Sequence, residues 1–88
     1  MRTLDTGMPY PLGATVDEHG TNFAVSTGRE AEAVYLCLID EHGGEERIEL
    51  TERHGSTWHV HVAGVGAGQR YGFRVDGPWA PQNGLWFN

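Results

Sequence analysis

Trp79, Gln82 and Asn83 sit close together in the stretch RYGFRVDGPWAPQNG, residues 70–84, in a loop punctuated by Pro78 and Pro81. A flat indole flanked by side-chain amides suits a sugar ring, whose C–H face is apolar and whose hydroxyls need hydrogen-bond partners. The same makeup suits an indole packed at a domain boundary, and the residues alone leave both readings open.

The other groupings with chemical potential point to less. His59 and His61 lie at i and i+2 in TWHVHV, so on a strand they share a face and could reach one ion. No third cysteine, histidine or carboxylate follows at supporting spacing, and the expectation is two solvated histidines and no metal. GVGAG, residues 64–68, lacks a following helix to meet a phosphate and reads as a hairpin turn. The carboxylates of DEHGGEERIELTE fall in acidic turns and on wet faces, where nothing would raise a pKa for acid catalysis. Cys37, the single cysteine, lies mid-strand in AVYLCLI without an activating base or helix N-terminus, and reads as a small buried hydrophobe. Neither catalysis nor a cofactor is expected of this chain.

The elements that must carry these residues are strands. Apolar residues alternate in short runs: Phe23 and Val25; Val34, Leu36 and Leu38; Ile48 and Leu50; Trp58, Val60 and Val62; Tyr71, Phe73 and Val75. Turn signals separate them at Asp17–Gly20, Gly28–Glu30, Glu41–Gly44, Arg53–Gly55, Gly64–Gly68 and from Gly77 onward. With a weaker strand near Leu12–Val16, the pattern predicts an all-β, immunoglobulin-like antiparallel β-sandwich of about six or seven strands, each sheet with one wet face. REAEAV is the only helix-like fragment, too short to stand alone.

At 88 residues there is room for one core. Residues 1–11, with Pro9 and Pro11, read as an arm that must pack on something; 12–76 form the sandwich; 77–88 form a tail. Trp86 and Phe87 close that tail with little charge around them, which suggests an interdomain interface and a domain cut from a longer protein. The formal net charge is -6, there is no lysine, and six arginines are scattered singly. Nucleic acid and anionic membrane surfaces are therefore poor partners, and a neutral one fits better. One cysteine and no signal-like or membrane-spanning apolar run suit a cytoplasmic protein.

PLGAT, GTNFA and GQRYGFRVDGPW together make the chain, from Pro9 to Asn88, resemble the N-terminal domain of bacterial glycogen debranching enzymes of the isoamylase type. That segment resembles a carbohydrate-binding module of family 48, placed ahead of a (β/α)8 barrel of glycoside hydrolase family 13. The resemblance implies that the barrel of the same polypeptide hydrolyses α-1,6 branch linkages in glycogen or limit dextrin. It implies for this chain a bracing role against the barrel, or α-glucan binding through Trp79 helped by Tyr35, Arg74, Asp76, Gln82 and Asn83. Sister modules that target glycogen have two tryptophans and a lysine on one sheet surface. Here the lysine position is Gly72, and the loop for the other tryptophan reads DEHGGE. Loss of one stacking platform, roughly 1 to 2 kcal/mol, weakens sugar binding about tenfold or more.

Overall fold

Alternation of period two builds two antiparallel sheets that face each other across the apolar side chains. The computed structural model describes residues 2–28, 30–77 and 83–87, the last five in backbone only. Its strands are β1 (Leu4–Asp5), β2 (Gly13–Val16), β3 (Gly20–Ser26), β4 (Ala33–Ile39), β5 (Glu45–Glu49), β6 (Glu52–His54), β7 (Thr57–Ala63), β8 (Arg70–Asp76) and β9 (Asn83–Phe87). One sheet runs β1-β7-β3-β2 with β6 also on β7; the other runs β5-β4-β8-β9. The described residues contain no helix, and Ala33 and Val34, which end REAEAV, belong to β4.

The described residues form nine strands where about six or seven were expected. β1 and β6 are two and three residues long, fully exposed, and share one edge of β7, so neither carries an apolar period to read. β9 forms in the tail by pairing with β8, where glycine and proline signal only a turn. Strand formation at these places is decided by an open sheet edge nearby, not by local propensity.

The core is the set of alternating residues the sequence marks. Phe23, Val25, Trp58, Val60 and Val62 from one sheet meet Val34, Leu36, Leu38, Ile48, Tyr71, Phe73 and Val75 from the other. Phe23 and Tyr71 meet edge to face across the layers at 5.0 Å, and Tyr71 and Phe73 meet at 5.8 Å. Thr21, buried at one end, donates its hydroxyl proton to the Val65 carbonyl at 2.6 Å, so no polar group is stranded there.

The N-terminal segment crosses the outer face of the five-stranded sheet, from its β1 edge to its β2 edge. Asn22 on β3 staples it: Oδ1 accepts from Met8 N–H at 2.7 Å and Nδ2 donates to the Met8 carbonyl at 2.9 Å. Gly7 passes so close that a Cβ there would lie 2.6 Å from Asn22 Oδ1 and 2.8 Å from the Val60 carbonyl carbon, and its φ is +75°. Only glycine accepts both the left-handed backbone and this approach.

The crossing corrects the expectation of two solvated histidines. His59 is 6% exposed, covered by the segment, and its Nδ1 lies 2.7 Å from the Thr6 carbonyl. A carbonyl only accepts, so Nδ1 carries the proton. His61, half-buried, sits 2.9 Å from Asp17. The Asp17 carboxyl is held below its ordinary value mainly by the His19 backbone N–H, with His61 and the Gly20 N–H adding to it. Alternation places these rings opposite Trp58, Val60 and Val62, but a chain segment lying on that face is invisible to it.

Asn22→Ala leaves the Met8 N–H and carbonyl without their partners and is expected to cost about 1 to 3 kcal/mol in denaturant unfolding. Asn22→Asp keeps the acceptor and loses the donor, so its loss should be smaller. Equal stability of all three proteins would show that the staple does not hold the segment.

Candidate functional site

Of the residues singled out for sugar binding, Tyr35, Arg74 and Asp76 lie on the outer face of the four-stranded sheet. On β4 the inward residues Val34, Leu36 and Leu38 leave Tyr35 and Cys37 on the opposite face. On β8, inward Tyr71, Phe73 and Val75 leave Gly72, Arg74 and Asp76 there, and on β5, inward Ile48 leaves Glu45, Arg47 and Glu49.

Register brings Tyr35 and Arg74 directly opposite one another. Asp76 lies two positions further along β8, opposite Ala33. On β9, the backbone of Asn83 pairs with Val75, Trp86 with Gly72 and Phe87 with Tyr71. Trp79 and Gln82 lie outside the described residues, as do the side chains of Asn83, Trp86 and Phe87.

Two residues that no motif pointed to organise this face. Glu45 reaches across the sheet to Arg74, with Oε2 3.4 Å from Nε and Oε1 3.4 Å from Nη2. Its Oε2 also accepts from Arg47 Nη2 at 3.3 Å. The Arg47 guanidinium in turn lies 5.7 Å from the centre of the Tyr35 ring. The signal was present in EERIE: once Ile48 points inward, Glu45 and Arg47 must share the outer face. What it did not give was the span from β5 over β4 to β8.

Cys37 belongs to this face and not to the core, yet it is 0% exposed. It pairs with Arg47 on one side and Gly72 on the other, beneath the Glu45–arginine network. Burial pushes its thiol up, and the hydrogen bond and negative charge of Glu45 push it further. Burial and the Glu45 carboxylate, against the opposing pull of Arg47 and Arg74, thus make it a poor nucleophile. Glu45 itself is held below the ordinary glutamate range, first by its hydrogen bond to Arg74, with Cys37 and Arg47 adding to it, and Arg74 is raised by the same contact.

Chemically, the described face presents a carboxylate bridged by two arginines and one phenol with a guanidinium over its ring. No group of three potential metal ligands occurs among the described residues. A hollow of about 360 Å³ at the end of β4, lined by Arg2, Asp40, Glu45, Glu46 and Gln69 among others, is polar and open.

Residues 11–86 match the model of carbohydrate-binding module 48, the isoamylase N-terminal domain. The chain belongs to this family. Over all 88 residues it is 51% identical to a glycogen debranching enzyme of Pectobacterium carotovorum subsp. carotovorum and 49% identical to one of Klebsiella pneumoniae subsp. pneumoniae. It spans 13% of the length of each. A pullulanase from an Anoxybacillus species, solved with maltotetraose, shares the fold with a TM-score of 0.64 at 23% identity, over 85% of this chain and 10% of that one. Within the module 48 family, the sandwich read from alternation and the one observed are thus the same architecture.

Because Glu45 titrates below its ordinary value in the folded state, the stability it contributes is present above the unfolded glutamate pKa. It is lost as pH falls through the folded value. Glu45→Gln should therefore lower the unfolding midpoint at neutral pH, and the gap from the parent chain should close in acid. A gap that stays constant from neutral to acid would mean that the network carries no linked charge.

Proposed function

We propose that this chain is the non-catalytic N-terminal domain of an isoamylase-type glycogen debranching enzyme, a hydrolase of α-1,6-glucosidic branch linkages, and that its main task is to brace the catalytic barrel of the same polypeptide. The observation that carries the reading is the likeness along the whole chain: all 88 residues align with debranching enzymes at about half identity, while filling 13% of their length. The outer face of the four-stranded sheet supports the choice of bracing over sugar binding. Its described centre is an ion network with Arg47 set against Tyr35, where a neutral glucan needs an open ring and unengaged polar groups. The unpaired Cys37 fits a reducing, cytoplasmic setting.

A second reading, glucan binding through Trp79, is favoured by one specific arrangement. Tyr35 and Arg74 are cross-strand partners, and β8 leads straight into the segment that holds Trp79 and Gln82. Loss of the sugar-facing role would leave these residues serving the fold alone.

The test replaces the aligned 88 residues of the Pectobacterium carotovorum relative with this chain. The chimera is expected to release linear chains from glycogen limit dextrin, the isolated chain to release none, and the relative lacking the segment to unfold at lower temperature. A folded chimera without α-1,6 hydrolysis, where the unaltered relative has it, would overturn the reading. Heteronuclear NMR titration of the isolated chain with a linear maltooligosaccharide decides between the two roles. No shifts at millimolar sugar are expected; saturable shifts at Tyr35 and Arg74 that vanish in Trp79→Ala would establish the second.

A further inference from the structure

Among the described residues, the large apolar side chains left exposed are Leu4, Met8, Tyr10, Leu12 and Val16. All belong to the crossing segment and the strands at its two ends, β1 and β2; the described side chains elsewhere leave none. Met8, Tyr10 and Leu12 recur at every second position and are 63%, 67% and 55% exposed. Gly7 and Pro9, on either side of Met8, are half-buried, and Pro11 is exposed with its neighbours. Around Gly7 and Met8 the segment thus turns one side to β3 and β7, and from Met8 to Leu12 it leaves a thioether, a phenol and an isobutyl group exposed as a ridge.

The display is held in place. Asn22 grips the Met8 backbone at both its N–H and its carbonyl, His59 binds Thr6, and the backbone of Gly7 lies against β7. β1 pairs with β7 at one end and β2 with β3 at the other. A loose arm would fold its apolar side chains back onto the sheet. This one is fixed with them outward, and an exposed apolar strip of this kind marks a surface that another surface covers.

We infer that the Met8–Tyr10–Leu12 ridge is the docking surface for the remaining polypeptide of the longer enzyme, whose contacting face is apolar and uncharged. The inference rests on the bracing role proposed above and adds where the brace is made. Two observations select this occupant. The chain fills 13% of its relatives' length, so those enzymes carry a far larger body of polypeptide besides the aligned segment. A second copy would bring its own net charge of -6 against the same charge, which opposes ridge-on-ridge association. A sugar would need a flat ring with polar groups at its rim, whereas Met8 and Leu12 flank Tyr10.

Hydroxyl-radical footprinting reads the ridge directly, since methionine and tyrosine are oxidised in proportion to their exposure. The chimera and the isolated chain are oxidised side by side. Met8 and Tyr10 are expected to react readily in the isolated chain and several-fold more slowly in the chimera. Met8→Ser, Tyr10→Ser and Leu12→Ser combined should leave the melting temperature of the isolated chain unchanged and lower that of the chimera. Equal oxidation in both proteins overturns the inference. So does protection in the isolated chain that grows with its concentration, which would name a second copy, or protection by added maltooligosaccharide, which would name a glucan. Failure of the underlying reading looks different: the chimera would then be no more stable than the relative lacking the segment altogether.

Discussion

Everything in this molecule depends on the packing of two pleated faces against one another through Phe23, Tyr71 and Phe73. The edge-to-face contact of Phe23 with Tyr71 at 5.0 Å ties β3 of one sheet to β8 of the other, and Phe73 supports Tyr71 along β8 at 5.8 Å. That contact sets which side of each strand faces in, and therefore which residues are left to meet the outside. A one-residue slip in β8 would exchange Tyr71, Phe73 and Val75 for Gly72, Arg74 and Asp76. The inner face would then hold a guanidinium and a carboxylate, which explains why the register is held so firmly.

The two outer faces are used in opposite ways. On the four-stranded sheet, charge is gathered and neutralised: Glu45 lies between Arg74 and Arg47, and Cys37 is shut beneath them. On the five-stranded sheet, the outer face is covered by the protein's own chain, which hides His59 and exposes Met8, Tyr10 and Leu12 in its place. Polar side chains thus hold backbone on one face and one another on the other.

Much of the fold could be read without coordinates because strand periodicity is a local property. The inward residues of β3, β4, β7 and β8 follow from alternation in TNFAVS, AVYLCL, TWHVHV and RYGFRV. The short strands β1 and β6 could not, because two or three exposed residues carry no period and become strands only when β7 offers its edge. The outer-face chemistry was half legible. Tyr35, Arg74 and Asp76 fall on one face by counting, whereas the meeting of Glu45 with Arg74, 29 residues apart, requires the order of strands in the sheet.

The sequence by itself determined the all-β class, the membership of the core and, through PLGAT, GTNFA and GQRYGFRVDGPW, the family, since each of these is written in nearest-neighbour spacing or in contiguous motifs. Only the tertiary structure decided that His59 is buried, that Cys37 lies under an ion network outside the core, and that the first residues are strapped across a sheet with their apolar side chains outward. Those outcomes depend on pairs such as Asn22 with Met8 and His59 with Thr6. Contacts between residues far apart in the chain form only after two sheets have closed and fixed which surfaces remain open, and no local pattern records that choice.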